Sequence, residues 1–286
     1  MLKIALFPNF SKNQAKETAI DVANFLRSKK VELFADDAIS ETLQITPLSE
    51  VNPKSIDFMI TLGGDGTLLQ AIHRHPSLDV PIMAINMGGL GFMADIPLDE
   101  IYPSLEDLLN GNYTIKNRIM MEGYSDNNQQ CLAVNEVSIH RTNNPCIIDL
   151  AIYVDGLYLN TFSADGIIVS TPSGSTAYSL AAGGPILTPE VEAFVLTPIC
   201  PHTISNRPIV LMPHESIKIQ YLIDHDATNQ GDIEISCDGQ QSFKLSPNDI
   251  YSIVLSKRLF KLVCLPHHNY FLTLREKLGW RGQTPF

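Results

Sequence analysis

An N-terminal Rossmann-like α/β domain, then a mostly-β, sandwich-like domain, with a C-terminal helix returning to the first domain, is the fold class this sequence predicts. Three observations predict it. At the start of the chain, short apolar runs at 3–7, 31–34, 58–62 and 81–86 alternate with helical patterns, as a parallel sheet requires. From Tyr113 to about residue 265 the texture changes to brief β-like runs separated by turn dipeptides. Residues 270–278 then read as one helix. These shifts draw an α/β domain over 1–112 and 268–286, and a β-rich domain over 113–267.

Taken in order, residues 3–7 read as a buried strand. Residues 15–29 follow as a helix with Ala19, Val22, Ala23, Phe25 and Leu26 on one broad face, and Ser11 and Asn13 as candidate caps. A second strand at 31–34 precedes the run at 58–62, which ends in Gly63-Gly64-Asp65-Gly66; Thr67 then opens a helical pattern through Leu68, Leu69, Ile72 and His73. The strand at 81–86 leads into a second glycine-rich turn, Asn86-Met87-Gly88-Gly89-Leu90-Gly91-Phe92, at the strand's carboxyl end, where open α/β sheets place ligands. A helix over 98–109 is closed by Asn110-Gly111 in the manner of a left-handed cap. In the β-rich part the turn signals are Asp126-Asn127-Asn128, Asp155-Gly156, Asp238-Gly239 and Pro247-Asn248-Asp249, and alternation is visible at 149–154, 217–222 and 250–255.

The chain has 286 residues, 44% of them apolar, enough for well-buried cores. Its net charge of −11 excludes a general nucleic-acid or anionic-membrane surface, which needs basic patches. Five scattered cysteines, without Cys-x-x-Cys or zinc spacing, read as reduced and mostly buried thiols. The N-terminal apolar run is short and broken by Pro8, and the uncharged run 166–189 is rich in Gly, Pro, Ser and Thr, so neither a signal peptide nor a membrane span is expected. The expected location is the cytoplasm.

Chemistry concentrates at the glycine turn. Gly63, Gly64 and Gly66 let backbone N–H groups approach a ligand, and the helix opening at Thr67 adds a partial positive charge suited to phosphate. Asp65 would repel a bare phosphate there unless a divalent metal or a hydroxyl hydrogen lies between them. Mg²⁺ is therefore implied, carried on nucleotide phosphates, since no direct metal-ligand motif is present. The turn is neither a Walker loop nor Gly-x-Gly-x-x-Gly. Further along, the strand 167–169 enters a loop dense in hydroxyls and small residues, residues 170–185, with Tyr178 available to a purine or ribose. Asp165 precedes that strand, and Asn135-Glu136 is a polar pair inside the apolar run 132–139, costly to bury unless bound to something. His73, His75, His267 and His268 lack a third ligand at metal spacing and read as structural. Trp280 is assigned no chemistry and could pack the tail against the first domain or a neighbour.

Gly63-Gly64-Asp65-Gly66-Thr67, then Asn135-Glu136, then Thr171 to Tyr178 with Ala182-Gly183-Gly184-Pro185, resemble in order and spacing the three signatures of the NAD kinase family. The first motif is shared with diacylglycerol kinases and 6-phosphofructokinases, while the second and third are specific. The resemblance covers nearly the whole chain. It implies ATP-dependent phosphorylation of the adenosine ribose 2′-hydroxyl of NAD, giving NADP. It also implies a homodimer or homotetramer whose sites lie between the two domains and can borrow residues from a neighbouring subunit. Carried over by position, Asp65 matches the proton acceptor and Gly66 its neighbouring contact, while Gly63, Gly64, Gly66 and Thr67 make the phosphate turn. Asn135 and Glu136 match the pair at the NAD ribose, and Asp165 an acid beside the nicotinamide end. Thr176, Ala177 and Tyr178 match the loop on the adenosine, and Ser173, Ala181 and Gln240 further NAD contacts. Ala181 stands where many relatives carry Ser, and the turn at Met87–Gly89 lacks the polar or basic residue common there. The competing expectations are a superfamily kinase for a lipid or sugar hydroxyl, and a non-catalytic dinucleotide-binding protein.

Overall fold

The computed structural model describes residues 1–12, 14–89, 91–126, 129–142, 146–203, 205–213, 216–222 and 233–280. The chain divides into two compact units, 1–117 with 261–286, and 118–260.

The first unit begins β1 (Lys3–Pro8), α1 (Ala15–Ser28), β2 (Glu32–Ala35), α2 (Asp37–Leu43), β3 (Thr46–Pro47), β4 (Phe58–Gly63), α3 (Asp65–Arg74), β5 (Ile82–Asn86) and α4 (Ile101–Asn110). Its strands pair in parallel in the order β3-β2-β1-β4-β5. The predicted helix face is buried: Ala15, Ala19, Val22, Ala23 and Leu26 of α1 join Ile4, Leu6, Ile60, Leu62, Met83 and Ile85 from the strands in one core. Helix α1 is entered through Gln14 in the left-handed region, without a side-chain cap, while the Ser11 hydroxyl donates to Asn9 Oδ1 instead. Asn13 lies outside the described residues. Gly111 (φ +79°) ends α4 as expected. Seven-residue α2 was not legible in the sequence, because two turns are too short to establish a helical period.

The second unit continues β6 (Thr114–Ser125), β7 (Gln130–Ala133), β8 (Glu136–Arg141), β9 (Ile148–Val154), β10 (Leu157–Ala164), β11 (Gly166–Ser170), α5 (Tyr178–Ala181), β12 (Phe194–Ile199), β13 (Ile209–Leu211), β14 (Ile217–Leu222), β15 (Ile233–Cys237), β16 (Gln241–Leu245) and β17 (Ile250–Cys264), before α6 (Tyr270–Leu278). One antiparallel sheet runs β13-β12-β11-β8-β15-β16, and β10, β9, β14 and β17 pair antiparallel in another. Inward residues of both sheets share one core, among them Val137, Ile139, Ile167 and Ile235 with Leu150, Ile152, Ile219 and Ile253, which makes the unit a sandwich. Asp155-Gly156 (φ +49° and +79°) and Asp238-Gly239 (φ +51° and +65°) form the tight hairpins their dipeptides announced. Asn127 and Asn128 lie outside the described residues. The end of β17 and helix α6 belong to the first unit, where Leu262 pairs in parallel with Ile82.

The cysteine expectation is corrected. Cys131 and Cys237, 106 residues apart, form a disulfide, Cys146 and Cys200 are exposed, and Cys264 is half-buried. Sequence spacing carried no sign of the pair, because β7 and β15 belong to different sheets and their cysteines meet only across the shared core. Trp280 is 55% exposed on the single chain, so it does not pack on the first unit.

Candidate active site

In the first unit the strand order reverses at β1 and β4, and the glycine turn leaves the carboxyl end of β4 at that switch point. Thr67, in the first turn of α3, folds its side chain back on the turn; Gly64 N–H and the Asn9 amide both donate to Thr67 Oγ1, at 3.4 and 3.3 Å. Gly63 is therefore obligatory, since a Cβ there would lie 2.0 Å from that oxygen. Gly64 and Gly66 have no such neighbour, and a Cβ on either would enter open space.

Half-buried Asp65 starts α3, where the helix dipole favours its charge. Its carboxylate is anchored by three consecutive backbone N–H groups: Phe92 donates to Oδ2 at 2.8 Å, and Met93 and Ala94 donate to Oδ1 at 3.1 and 2.8 Å. Oδ1 is thereby saturated. Oδ2 accepts one of these bonds and keeps capacity for another donor. The second glycine-rich turn thus forms a cradle for Asp65. Asn86 shapes that cradle: its buried amide donates to Gly89 O and Ala94 O and accepts from Gly88 N–H, all at 2.8–2.9 Å. Leu90 lies outside the described residues. His268 links the C-terminal segment to the same loop, with Nδ1 3.2 Å from Asp95 and Nε2 3.4 Å from Glu100. Its pKa is raised, chiefly by the Asp95 hydrogen bond. Lys277 of α6 lies over the Phe92 ring. Another histidine predicted to be structural, His75, faces Asp36 and the Phe7 ring.

In the second unit the chain enters β8 through Val134 and Asn135. Asn135 and Glu136 are buried, and the Ser173-Gly174 loop lies so close that a Cβ on Gly174 would sit 2.1 Å from Asn135 O. Glu136 pairs across the sheet with Ser170. Four buried side-chain atoms gathered on these segments, Asn135 Oδ1, Glu136 Oε2, Ser170 Oγ and Ser173 Oγ, have no hydrogen-bond partner among the described residues. Buried polar atoms are ordinarily paired, so such a group marks a place where a ligand supplies the bonds. Burial first, and the Asp238 charge second, push the Glu136 pKa up to about 8, while the Tyr178 backbone N–H pulls the other way. Tyr178 is exposed, Ala181 and Gln240 are exposed, and the Thr176 hydroxyl donates to Ser173 O.

Asp165 stands apart. It precedes β11 while Ser170 ends it, and five residues at about 3.3 Å each separate the two by roughly 16 Å along the strand. There its carboxylate accepts from Arg141 Nε at 2.7 Å. The structure thus gathers Asn135, Glu136, Ser173 and Tyr178, and places Asp165 at the other end of the same strand pair. Among the described residues no group of three or more His, Cys, Asp or Glu could hold a metal ion. No helix among them is long and apolar enough to cross a membrane.

Residues 4–113 match the family model of the ATP-NAD kinase N-terminal domain, and 134–265 that of the ATP-NAD kinase C-terminal domain. The chain belongs to the NAD kinase family. An NAD kinase of Protochlamydia amoebophila is 59% identical over 280 residues, 98% of this chain and 99% of the relative. One from Citrifermentans bemidjiense is 38% identical over 98% of this chain and 99% of its own. Among solved structures, an NAD kinase from Archaeoglobus fulgidus in complex with ATP superposes with a TM-score of 0.75 at 25% identity, covering 99% of this chain and all of that one. Yeast NADH kinase complexed with NADH shares the fold, with a TM-score of 0.87 at 23% identity over 100% of this chain and 90% of that one. Within this NAD kinase family chain, sequence reading missed Asn86, Ser170 and Asp238. Ser170 simply closes an apolar strand, and Asp238 reads as a turn residue; the available signal was a hydroxyl at the strand end leading into the Ser/Thr loop.

Proposed function

We propose that this chain transfers the γ-phosphoryl group of ATP to the 2′-hydroxyl of the adenosine ribose of NAD, with Asp65 accepting the hydroxyl proton. The ribose oxygen forms the new P–O bond, the bond from the γ-phosphorus to the β,γ-bridging oxygen breaks, ADP leaves, and the proton passes to Asp65 Oδ2 and then to solvent. The observation that carries the reading is the group of four buried polar atoms on Asn135, Glu136, Ser170 and Ser173, unpaired among the described residues, which asks for a polar ligand at the positions the motif resemblance associates with NAD. Asp65 supports the chemistry: its saturated Oδ1 holds the side chain still, and Oδ2 retains capacity for the hydroxyl. Open space beside Gly64 and Gly66 leaves the turn's backbone free to approach phosphate oxygens.

Thr176, Ala177, Tyr178 and Ala181 would lie along the adenosine, and Gln240 would make a further NAD contact. Asp165, paired with Arg141, would meet the nicotinamide end. Mg²⁺ would be held chiefly by the ATP phosphates and would supply charge neutralisation on the transferring oxygens, as Mg²⁺ commonly binds through phosphates and one or two carboxylates. Self-association to a homodimer or homotetramer in the cytoplasm completes the reading, supported by the sheet-edge strand β10, whose Leu157 and Tyr158 are 75% and 59% exposed.

The test incubates purified protein with ATP, Mg²⁺ and NAD and detects NADP with an NADP-specific dehydrogenase, with Asp65→Asn in parallel. Wild type forms NADP, and the variant loses on the order of 10²–10⁴ in turnover, the range for a general base. Asn also offers one acceptor oxygen to three N–H groups, so its melting temperature falls. No NADP from wild type, with NAD binding still measurable, would point to a non-catalytic binder, and an acceptor screen with lipid and sugar alcohols separates the superfamily kinases.

A further inference from the structure

Asp238 repeats, in the second unit, what Asp65 experiences in the first. It sits buried and left-handed (φ +51°) in the β15–β16 hairpin, and its carboxylate grips three consecutive backbone N–H groups: Val134 donates to Oδ2 at 2.8 Å, Asn135 and Glu136 to Oδ1 at 2.8 and 3.0 Å. Asp238 N–H returns a bond to Glu136 O at 3.0 Å. The segment is held from the other side as well. Thr171 N–H donates to Asn135 O at 2.8 Å, and the Thr171 hydroxyl to Val134 O at 2.6 Å. Next to Asp238, Cys237 is bonded to Cys131, three residues before Val134. Every backbone polar group from Val134 to Glu136 named here is thus committed, while the side chains of Asn135 and Glu136 each keep a buried oxygen unpaired. The backbone is fixed so that the side chains can serve a ligand.

A carboxylate is an expensive way to fasten a turn. It is buried beside Glu136, and two like charges in one buried site repel. Only a carboxylate, however, can accept from three converging N–H groups, since an amide offers one oxygen and sets an NH₂ against the remaining donor. We propose that Asp238 is a positioning residue of the NAD site, fixing the Val134–Glu136 backbone and thereby the placement of the Asn135 and Glu136 side chains. This rests on the assignment of Asn135 and Glu136 to NAD. The groups facing Glu136 are Asp238 from the hairpin, the Tyr178 N–H from α5, and Ser170 across the sheet. Removing the Asp238 charge leaves burial as the principal cause of the raised Glu136 pKa, so its titration moves to lower pH.

The experiment measures KM for NAD, KM for ATP, kcat and the thermal transition of Asp238→Asn against wild type, from pH 6 to 9. Loss of one or two charge-assisted bonds raises KM for NAD by about tenfold or more. KM for ATP stays within about twofold, and the bend in log KM for NAD expected of wild type near pH 8, where Glu136 titrates, shifts to lower pH. A folded Asp238→Asn with unchanged KM for NAD, or with both KM values raised alike, overturns the proposal. The Asp238→Asn/Glu136→Gln double variant removes the neighbouring acid and keeps the test available if the single variant does not fold. In the cycle with Glu136→Gln, a double effect on KM for NAD smaller than the product of the single effects supports action through Glu136, and a strictly multiplicative effect overturns it. Absence of NADP formation by wild type would instead sink the functional reading on which the proposal rests.

Discussion

Gly91→Ala tests the Asp65 cradle without replacing the acid. A methyl group at Gly91 would lie 2.3 Å from Asp65 Oδ1, 2.9 Å from its Cγ and 2.8 Å from Ala94 O. Neither obstacle can swing away, because the carboxylate is fastened by three N–H groups and Ala94 O is backbone that accepts from both Gly91 N–H and the Asn86 amide. Restoring ordinary contact requires a displacement of about 1 Å, enough to take the 3.1 and 2.8 Å bonds from Met93 and Ala94 outside hydrogen-bond range. Two such bonds to a charged acceptor are worth roughly 3–6 kcal/mol together, of which loop relaxation recovers part, so a net loss of about 2–4 kcal/mol is expected. At about 2–4 °C per kcal/mol, the melting temperature falls by roughly 5–15 °C. A misplacement of about 1 Å at a catalytic group costs on the order of 10²-fold in rate. Steady-state NADP formation at saturating ATP and NAD, with a thermal melt on the same preparation, reads both. A cooperative, folded Gly91→Ala enzyme with wild-type kcat would refute the link between the cradle and the chemistry.

Three further outcomes follow from the electrostatics and the disulfide. The Glu136 carboxyl titrates near pH 8 in the folded chain against an ordinary value of 4.5, so between these values the folded state holds a proton the unfolded chain has lost, and wild-type stability falls as pH rises through that window. Glu136→Gln removes the slope, and melts at pH 5, 6.5 and 8 should show the variant gaining on wild type toward pH 8. His268 gives a slope of the same sign from a different cause: its pKa is raised by the Asp95 hydrogen bond, with Glu100 adding, so its contribution is complete below its unfolded pKa of 6.5 and disappears as pH rises through the folded value. An NMR titration should place its pKa above 6.5 in wild type, and Asp95→Asn should lower it. Reduction of the Cys131–Cys237 bond, which closes a loop of 106 residues, releases up to about 4.7 kcal/mol of chain entropy in the unfolded state, so dithiothreitol lowers the wild-type melting temperature. The Cys131→Ser/Cys237→Ser protein should melt identically with and without reductant.

Local chemistry is legible in the sequence. Apolar runs predicted β1, β2, β4 and β5 because a strand buried on both faces has few polar residues to offer. Asp155-Gly156 and Asp238-Gly239 predicted their hairpins because those turns need left-handed backbone at both positions. Asn135-Glu136 stood out because two polar residues inside an apolar strand are costly to bury, and both are indeed buried with unpaired oxygens. Helix α2 escaped because two helical turns carry no measurable period, and its burial depends on what packs over it.

By itself the sequence determined the order of elements, the glycine turn at the end of β4, the polar pair entering β8 and the family to which the chain belongs. These are properties of residues close in the chain, where period, turn chemistry and spacing act directly. Only the tertiary structure decided what the acids do. Asp65 binds N–H groups 27 to 29 residues downstream, Asp238 binds N–H groups 102 to 104 residues upstream, Asp165 meets Arg141, and Cys131 finds Cys237. A backbone N–H has no sequence signature, since every residue except proline carries one. An acid that fastens a distant loop and an acid that faces a ligand are therefore written alike, and the fold alone tells them apart.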